Sequence, residues 1–74
     1  MLIEIYSKEN CGFCVQAIDK AKAGSHDVKV KKLGIDFTRE ELFEIFPDAR
    51  TFPQIKVDGL SIGGWNEFRK LKGV

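Results

Sequence analysis

Apolar residues recur along this chain in two different periods, and the switches between them mark out its elements. Leu2-Ile3-Glu4-Ile5-Tyr6 is β-branched and aromatic with one charge inside, which predicts a short strand. Ser7 to Asn10 is polar and predicts a loop. From Cys14 the spacing changes: Cys14, Ala17, Ile18 and Ala21 fall on one face of a helix, with Gly24 as its stop. Val28-Lys29-Val30-Lys31 returns to strict alternation, a strand with one wet face. Its lysines suit a sheet edge, where charge discourages pairing with another molecule.

Thr38-Arg39-Glu40-Glu41 has the capping-box pattern, in which a hydroxyl and a carboxylate each satisfy an orphan amide. Leu42, Ile45 and Phe46 follow at helical spacing, and Pro47 ends that helix. Gln54 to Val57 reads as a strand, Asp58-Gly59 as a tight hairpin turn and Leu60 to Ile62 as its partner. After Gly63-Gly64 a last helix is expected to turn Trp65, Phe68 and Leu71 toward the core. The order β-α-β-α-β-β-α predicts an α/β protein: a mixed four-stranded sheet flanked by three helices. There is no repeat, low-complexity tract or linker, so residues 1–74 are expected to form a single domain.

Size and charge narrow the function. A domain of 74 residues buries only about 60% of the surface its unfolded chain exposes, so a substrate is expected in a shallow groove. Twelve Lys and Arg against eleven Asp and Glu leave a net charge of +1. That argues against electrostatic nucleic-acid binding, which uses a clear basic excess. No apolar run reaches the roughly 20 residues of a membrane helix. Met1-Leu2-Ile3-Glu4 carries neither the basic region nor the cleavage site of a secretory signal. The expectation is a cytoplasmic protein, in host cytoplasm if the source is a virus.

In that compartment Cys11 and Cys14 point to redox chemistry. They are too close to staple a fold, and a structural disulfide is disfavoured in a reducing cytosol. With His26 they fall short of the four ligands of a structural zinc site, so no metal is expected. A loop delivers Cys11 to a helix start, where unpaired amides favour the thiolate, and Lys8 adds a positive charge nearby. Such surroundings lower a thiol pKa from about 8.5 into the range of roughly 3.5–7.5. A drop to about 5 gains about 1.5 log units of thiolate at pH 7. Intrinsic nucleophilicity falls by a similar amount, about 1.4–1.8 log units. The gain is therefore in Cys11 as a leaving group. Cys14, one turn inside, is expected to stay protonated until needed. The competing reading is two small core residues that merely lie three apart.

Tyr6-Ser7-Lys8-x-x-Cys11-x-x-Cys14 resembles the active-site segment of dithiol glutaredoxins. Arg50-Thr51-Phe52-Pro53-Gln54-Ile55 resembles their Thr-Val-Pro segment, and Asp58 to Asn66 their Gly-Gly segment, in family order. The resemblance implies a thioredoxin-like fold with Pro53 in a cis peptide facing the dithiol. It implies a glutathione-dependent thiol–disulfide oxidoreductase in which Cys11 is the nucleophile, Cys14 resolves the mixed disulfide and Lys8 stabilises the thiolate. It also implies a glutathione groove. Lys8 and Arg50 would meet the glycyl carboxylate side, Phe52 would pair its backbone with the cysteinyl part, and Phe13 and Thr51 would belong to the groove. Gly64, Trp65 and Asn66 would hold the γ-glutamyl carboxylate at the start of the last helix. The implied partners are glutathione and disulfide-bearing proteins, with ribonucleotide reductase as a family-level example, and the implied state is a monomer.

Each of these positions has a plainer reading. Lys8 and Arg50 serve equally as solvated charges, Trp65 as core packing, and Gly63-Gly64 as a turn needing positive φ. Pro53 in trans at a strand start is the commoner state of proline, and His26 reads as a loop residue. The chain also departs from the common family pattern. Gly12 and Phe13 replace Pro and Tyr, and Gly12-Phe13 is similar to monothiol glutaredoxins that bridge a [2Fe–2S] cluster between two chains with glutathione. Cys14 stands where that class has Ser. A cluster carrier and a redoxin served by thioredoxin reductase are thus the two alternatives.

Overall fold

The computed structural model describes residues Met1–Lys72. Its elements are β1 (Leu2–Ser7), α1 (Gly12–Ala23), β2 (Asp27–Lys32), α2 (Arg39–Ile45), β3 (Gln54–Val57), β4 (Leu60–Gly63) and α3 (Trp65–Lys70). The strands form one sheet in the order β2-β1-β3-β4. β1 runs parallel to β2, with Ile5 opposite Val30, and antiparallel to β3, with Ile5 opposite Ile55. β4 pairs antiparallel with β3. This is the mixed sheet and element order the hydrophobic pattern predicts, in a thioredoxin-like arrangement, and β2 is an edge strand as its lysines suggest.

Because side chains alternate across a strand, β1 divides its residues between two cores. Ile3 and Ile5 point to one face and join Ile55, Ala17, Ala21 and Phe68, all fully buried, under α1 and α3. Tyr6 points to the other face and joins Phe37, Leu42 and Phe46 under α2. The capping box of α2 is formed: Glu41 N–H donates to Thr38 Oγ1 at 3.2 Å, and Thr38 N–H to Glu41 Oε1 at 2.9 Å. The hairpin turn places Asp58 at φ 51° and Gly59 at φ 84°, the pair of positive angles a two-residue type I′ turn requires.

Two local expectations are corrected, for Ser7 and Leu71, and the expected stop at Gly24 is present. Ser7 continues β1 and is buried, its hydroxyl donating to the Lys31 carbonyl at 3.0 Å. Leu71 lies past the last turn of α3 and is 37% exposed, so it does not enter the core. Six residues make α3 too short to bring a third apolar position round to the sheet. Gly24 ends α1 in an extended conformation, φ −91°, so left-handed geometry is not its reason. A Cβ there would stand 2.7 Å from the His26 ring.

Candidate active site

The chain reverses after β1 through Lys8, Glu9 and Asn10, and Asn10 takes the left-handed conformation at φ 54°. Asn tolerates that region better than most residues because its short side chain bonds locally. The turn leaves Cys11 as the N-cap of α1, where its Sγ accepts the Cys14 N–H at 3.2 Å. Cys11 is half-buried, whereas Cys14 is 2% exposed. The two are joined as a disulfide. A half-buried cysteine whose sulfur holds a helix amide and a buried cysteine behind it are what a nucleophile and a resolving thiol need.

Beside Cys11 lies an open cleft of about 450 Å³. Its walls include Lys8 and Phe13 on one side and Arg50, Thr51 and Phe52 on the other. Phe13 is 57% exposed. The Lys8 amine stands 5.5 Å from the centre of the Phe52 ring, a cation–π placement that holds a positive charge over the cleft. Phe52 in turn stacks on Phe37, with centroids 6.4 Å apart. The Phe52–Pro53 peptide is cis, and Pro53 is fully buried. Gln54 fastens this segment through its side-chain amide, which donates to the Thr51 carbonyl at 2.8 Å.

Gly64 approaches the same segment from α3. A Cβ on it would stand 3.1 Å from the Pro53 carbonyl oxygen and 3.7 Å from Thr51 Oγ1, so close approach requires this glycine. Gly63, at φ 106°, is the one that requires positive φ. The Gly64 amide donates to Glu67 Oε1 at 2.8 Å, so this chain's own carboxylate already occupies it. Trp65 packs against the aliphatic core, and the exposed Asn66 accepts from Arg69 Nε at 3.3 Å. Neither lines the cleft. The structure thus gathers Lys8, Cys11, Phe13, Arg50, Thr51 and Phe52 around one opening, and leaves Trp65 and Asn66 to one side.

Two lining residues escape a reading by motif. Arg39, the first residue of α2, adds a third cation to the cleft, and Asn10 forms its floor beside Cys11. Arg39 sits inside a capping-box pattern that already explains its neighbours, so only the packing of α2 against Phe52 reveals it.

Known proteins resemble this arrangement. The Glutaredoxin family model matches residues 3–62. Glutaredoxin 3 of Escherichia coli strain K12 is 38% identical over 72 residues, covering 93% of this chain and 83% of the relative. The structure of reduced Escherichia coli glutaredoxin superposes with a TM-score of 0.78 at 31% identity, covering 93% of this chain and 89% of the other. Oxidised Escherichia coli glutaredoxin gives 0.75 at 30%, again with 93% and 89% covered.

Proposed function

The chain belongs to the glutaredoxin family and is a thiol–disulfide oxidoreductase, and from that premise we propose that its reductant is glutathione and that Cys11 and Cys14 divide the work. The observation that carries the division is the unequal burial of the two cysteines, with the half-buried Cys11 accepting the Cys14 amide at 3.2 Å. In the reduced protein the same amide and the α1 N-terminus favour the Cys11 thiolate. That thiolate attacks one sulfur of a substrate disulfide and the other sulfur leaves as a thiol. Cys14 then attacks Cys11, freeing the substrate's second thiol and closing the internal disulfide. Two glutathiones reopen it and leave as glutathione disulfide, so the two electrons balance.

The cleft supports a glutathione site. Lys8 and Arg50, with Arg39 beside them, supply positive charge for the glycyl carboxylate, and Thr51 and Phe52 offer backbone to the cysteinyl part. At the γ-glutamyl end Gly64 is within reach of Thr51, and a ligand carboxylate competes there with Glu67 for the Gly64 amide. Family resemblance adds Trp65 and Asn66 to that end. The protein works on disulfide-bearing proteins as a monomer in the cytoplasm, where a reduced glutathione pool is maintained.

The roles separate in two assays run at one glutathione concentration. Cys11→Ser is expected to abolish both reduction of a small glutathionyl mixed disulfide and reduction of a protein disulfide. Cys14→Ser keeps the first, since free glutathione reaches the Cys11 adduct unaided, and loses most of the second. Exchange activity surviving in Cys11→Ser would reverse the assignment. A pH titration of thiolate absorbance in Cys14→Ser is expected to give a midpoint well below the free-thiol value of about 8.5.

A further inference from the structure

Cys11 opens on two sides. Opposite the cationic cleft, between α1 and the edge strand β2, lies a second groove of about 620 Å³ that reaches both Cys11 and Cys14. Its floor is aliphatic: Val15 and Ile18 from α1, and Val30 from β2. Val30 pairs in register with the fully buried Ile5 and points to the same face of the sheet, yet it remains 40% exposed. α1 covers that face with Ala17 and Ala21, which are too small to extend over the edge strand. Val15 is 56% exposed on the other bank. Two β-branched side chains therefore stand uncovered beside the reactive disulfide.

The charged residues that line the groove are Lys8, Glu9 and Lys32. Lys32 and Glu9 pair across its rim at 3.2 Å, and the Lys8 amine is turned to Phe52 in the other cleft. The ligand charge that suits Lys8, Arg39 and Arg50 has no counterpart here, so glutathione belongs on one side and an uncharged apolar chain on the other. A disulfide partner protein must bring its cysteine to Cys11, and the groove is continuous with that point.

We propose that the α1–β2 groove docks the substrate protein, receiving an extended segment with an aliphatic side chain next to its reactive cysteine. Val15, Ile18 and Val30 act as specificity-determining contacts, while chemistry stays with the dithiol. This inference rests on the oxidoreductase reading above.

Thiol exchange on Cys14→Ser tests it. The variant is first converted to its Cys11–glutathione disulfide and then incubated with a short blocked peptide carrying one cysteine, flanked by leucines or by serines. The peptide thiolate attacks the Cys11 sulfur, the Cys11–glutathione bond breaks, and glutathione leaves as the thiol. Intact-mass measurement of the two adducts gives the exchange constant. The leucine peptide is expected to be favoured by about tenfold, the gain from partly burying an aliphatic side chain. Adding Val30→Asp or, on the exposed bank where folding is not at stake, Val15→Asp should erase that preference and leave formation of the glutathione adduct unchanged. In the leucine-peptide adduct the methyl signals of Val15, Ile18 and Val30 should move. Equal exchange constants for the two peptides, an unchanged preference in Val15→Asp, or shifts confined to Phe13 and Phe52 would each overturn the docking site. So would an adduct that elutes as a dimer, since the groove would then serve a second copy. Failure of Cys11 to form the glutathione adduct at all would instead overturn the reading on which the proposal rests.

Discussion

The two faces of the sheet share β1 but are made of different materials. Under α1 and α3 the core is aliphatic apart from Phe68, and every buried member is fully enclosed. Under α2 the core is aromatic. Tyr6 meets Phe37 and Phe46 edge-to-face at 5.2 and 5.0 Å, and Phe37 stacks on Phe52 at the cleft wall. The first face ends in closed packing. The second continues outward as a relay of rings from β1 to Phe52, and from there to the Lys8 amine. Burial of apolar surface stabilises both; the aliphatic face seats α1, whose first turn carries Cys11 and Phe13, while the aromatic face backs Phe52, on the cleft wall. The difference teaches that a small domain can close one core completely and let the other run out to the wall of a surface cleft.

The largest effect that sharpens this contrast is on the aliphatic side. Phe68 is fully buried at the centre of that cluster, and Phe68→Ala is expected to cost about 3–5 kcal/mol, read as a lowered denaturant midpoint. At a temperature where the variant is still folded, its KM for a small glutathionyl mixed disulfide should match the parent. A raised KM there would mean that both faces govern the cleft.

A smaller loss of stability with a larger change in binding is expected from the aromatic side. Phe37→Leu preserves most of the volume but removes one edge-to-face pair and one stack, at a cost of about 1 kcal/mol. Phe52 then loses its backing, and the KM for the same mixed disulfide should rise severalfold while kcat is kept. An unchanged KM would break the relay between core and cleft.

Much of this division was legible in the order of residues. Alternation in Ile3-Glu4-Ile5-Tyr6 already separates two faces, and the capping box and the Asp58-Gly59 turn carry their own local chemistry. Cys11 as helix cap follows from a polar loop feeding a helical period. What escaped was set by tertiary distance. Arg39 reaches the cleft because Phe52 packs against the cluster that holds Leu42 of α2, and Val30 lies at the edge of the sheet, where α1 leaves a groove beside it. Gly64 packs tightly on the Pro53 carbonyl, where an added Cβ would stand at 3.1 Å. No periodicity encodes that. Leu71 fits the helical spacing, but the helix stops before the spacing can act.

The smallest effect concerns a cation at the edge of the aromatic face. The Lys31 amine donates to the Tyr6 hydroxyl at 3.3 Å and to Glu4 Oε2 at 3.4 Å, and it lies 5.1 Å from the Tyr6 ring centre. The hydroxyl contact foremost, and the Glu4 charge after it, raise its pKa above the usual 10.5 against a partial desolvation that lowers it. A cation whose folded pKa is raised contributes its full stability below the unfolded value and loses it as pH climbs through the folded one. The lysine side chain is 36% exposed, so solvent screens the pair and the contribution is about a few tenths of a kcal/mol. Denaturant midpoints of the parent and Lys31→Met should therefore differ by a constant small amount through neutral pH. That difference should shrink above about pH 10.5. A difference that widened with rising pH would show that Lys31 is held as the free amine, and that the Tyr6 and Glu4 contacts do not stabilise its charge.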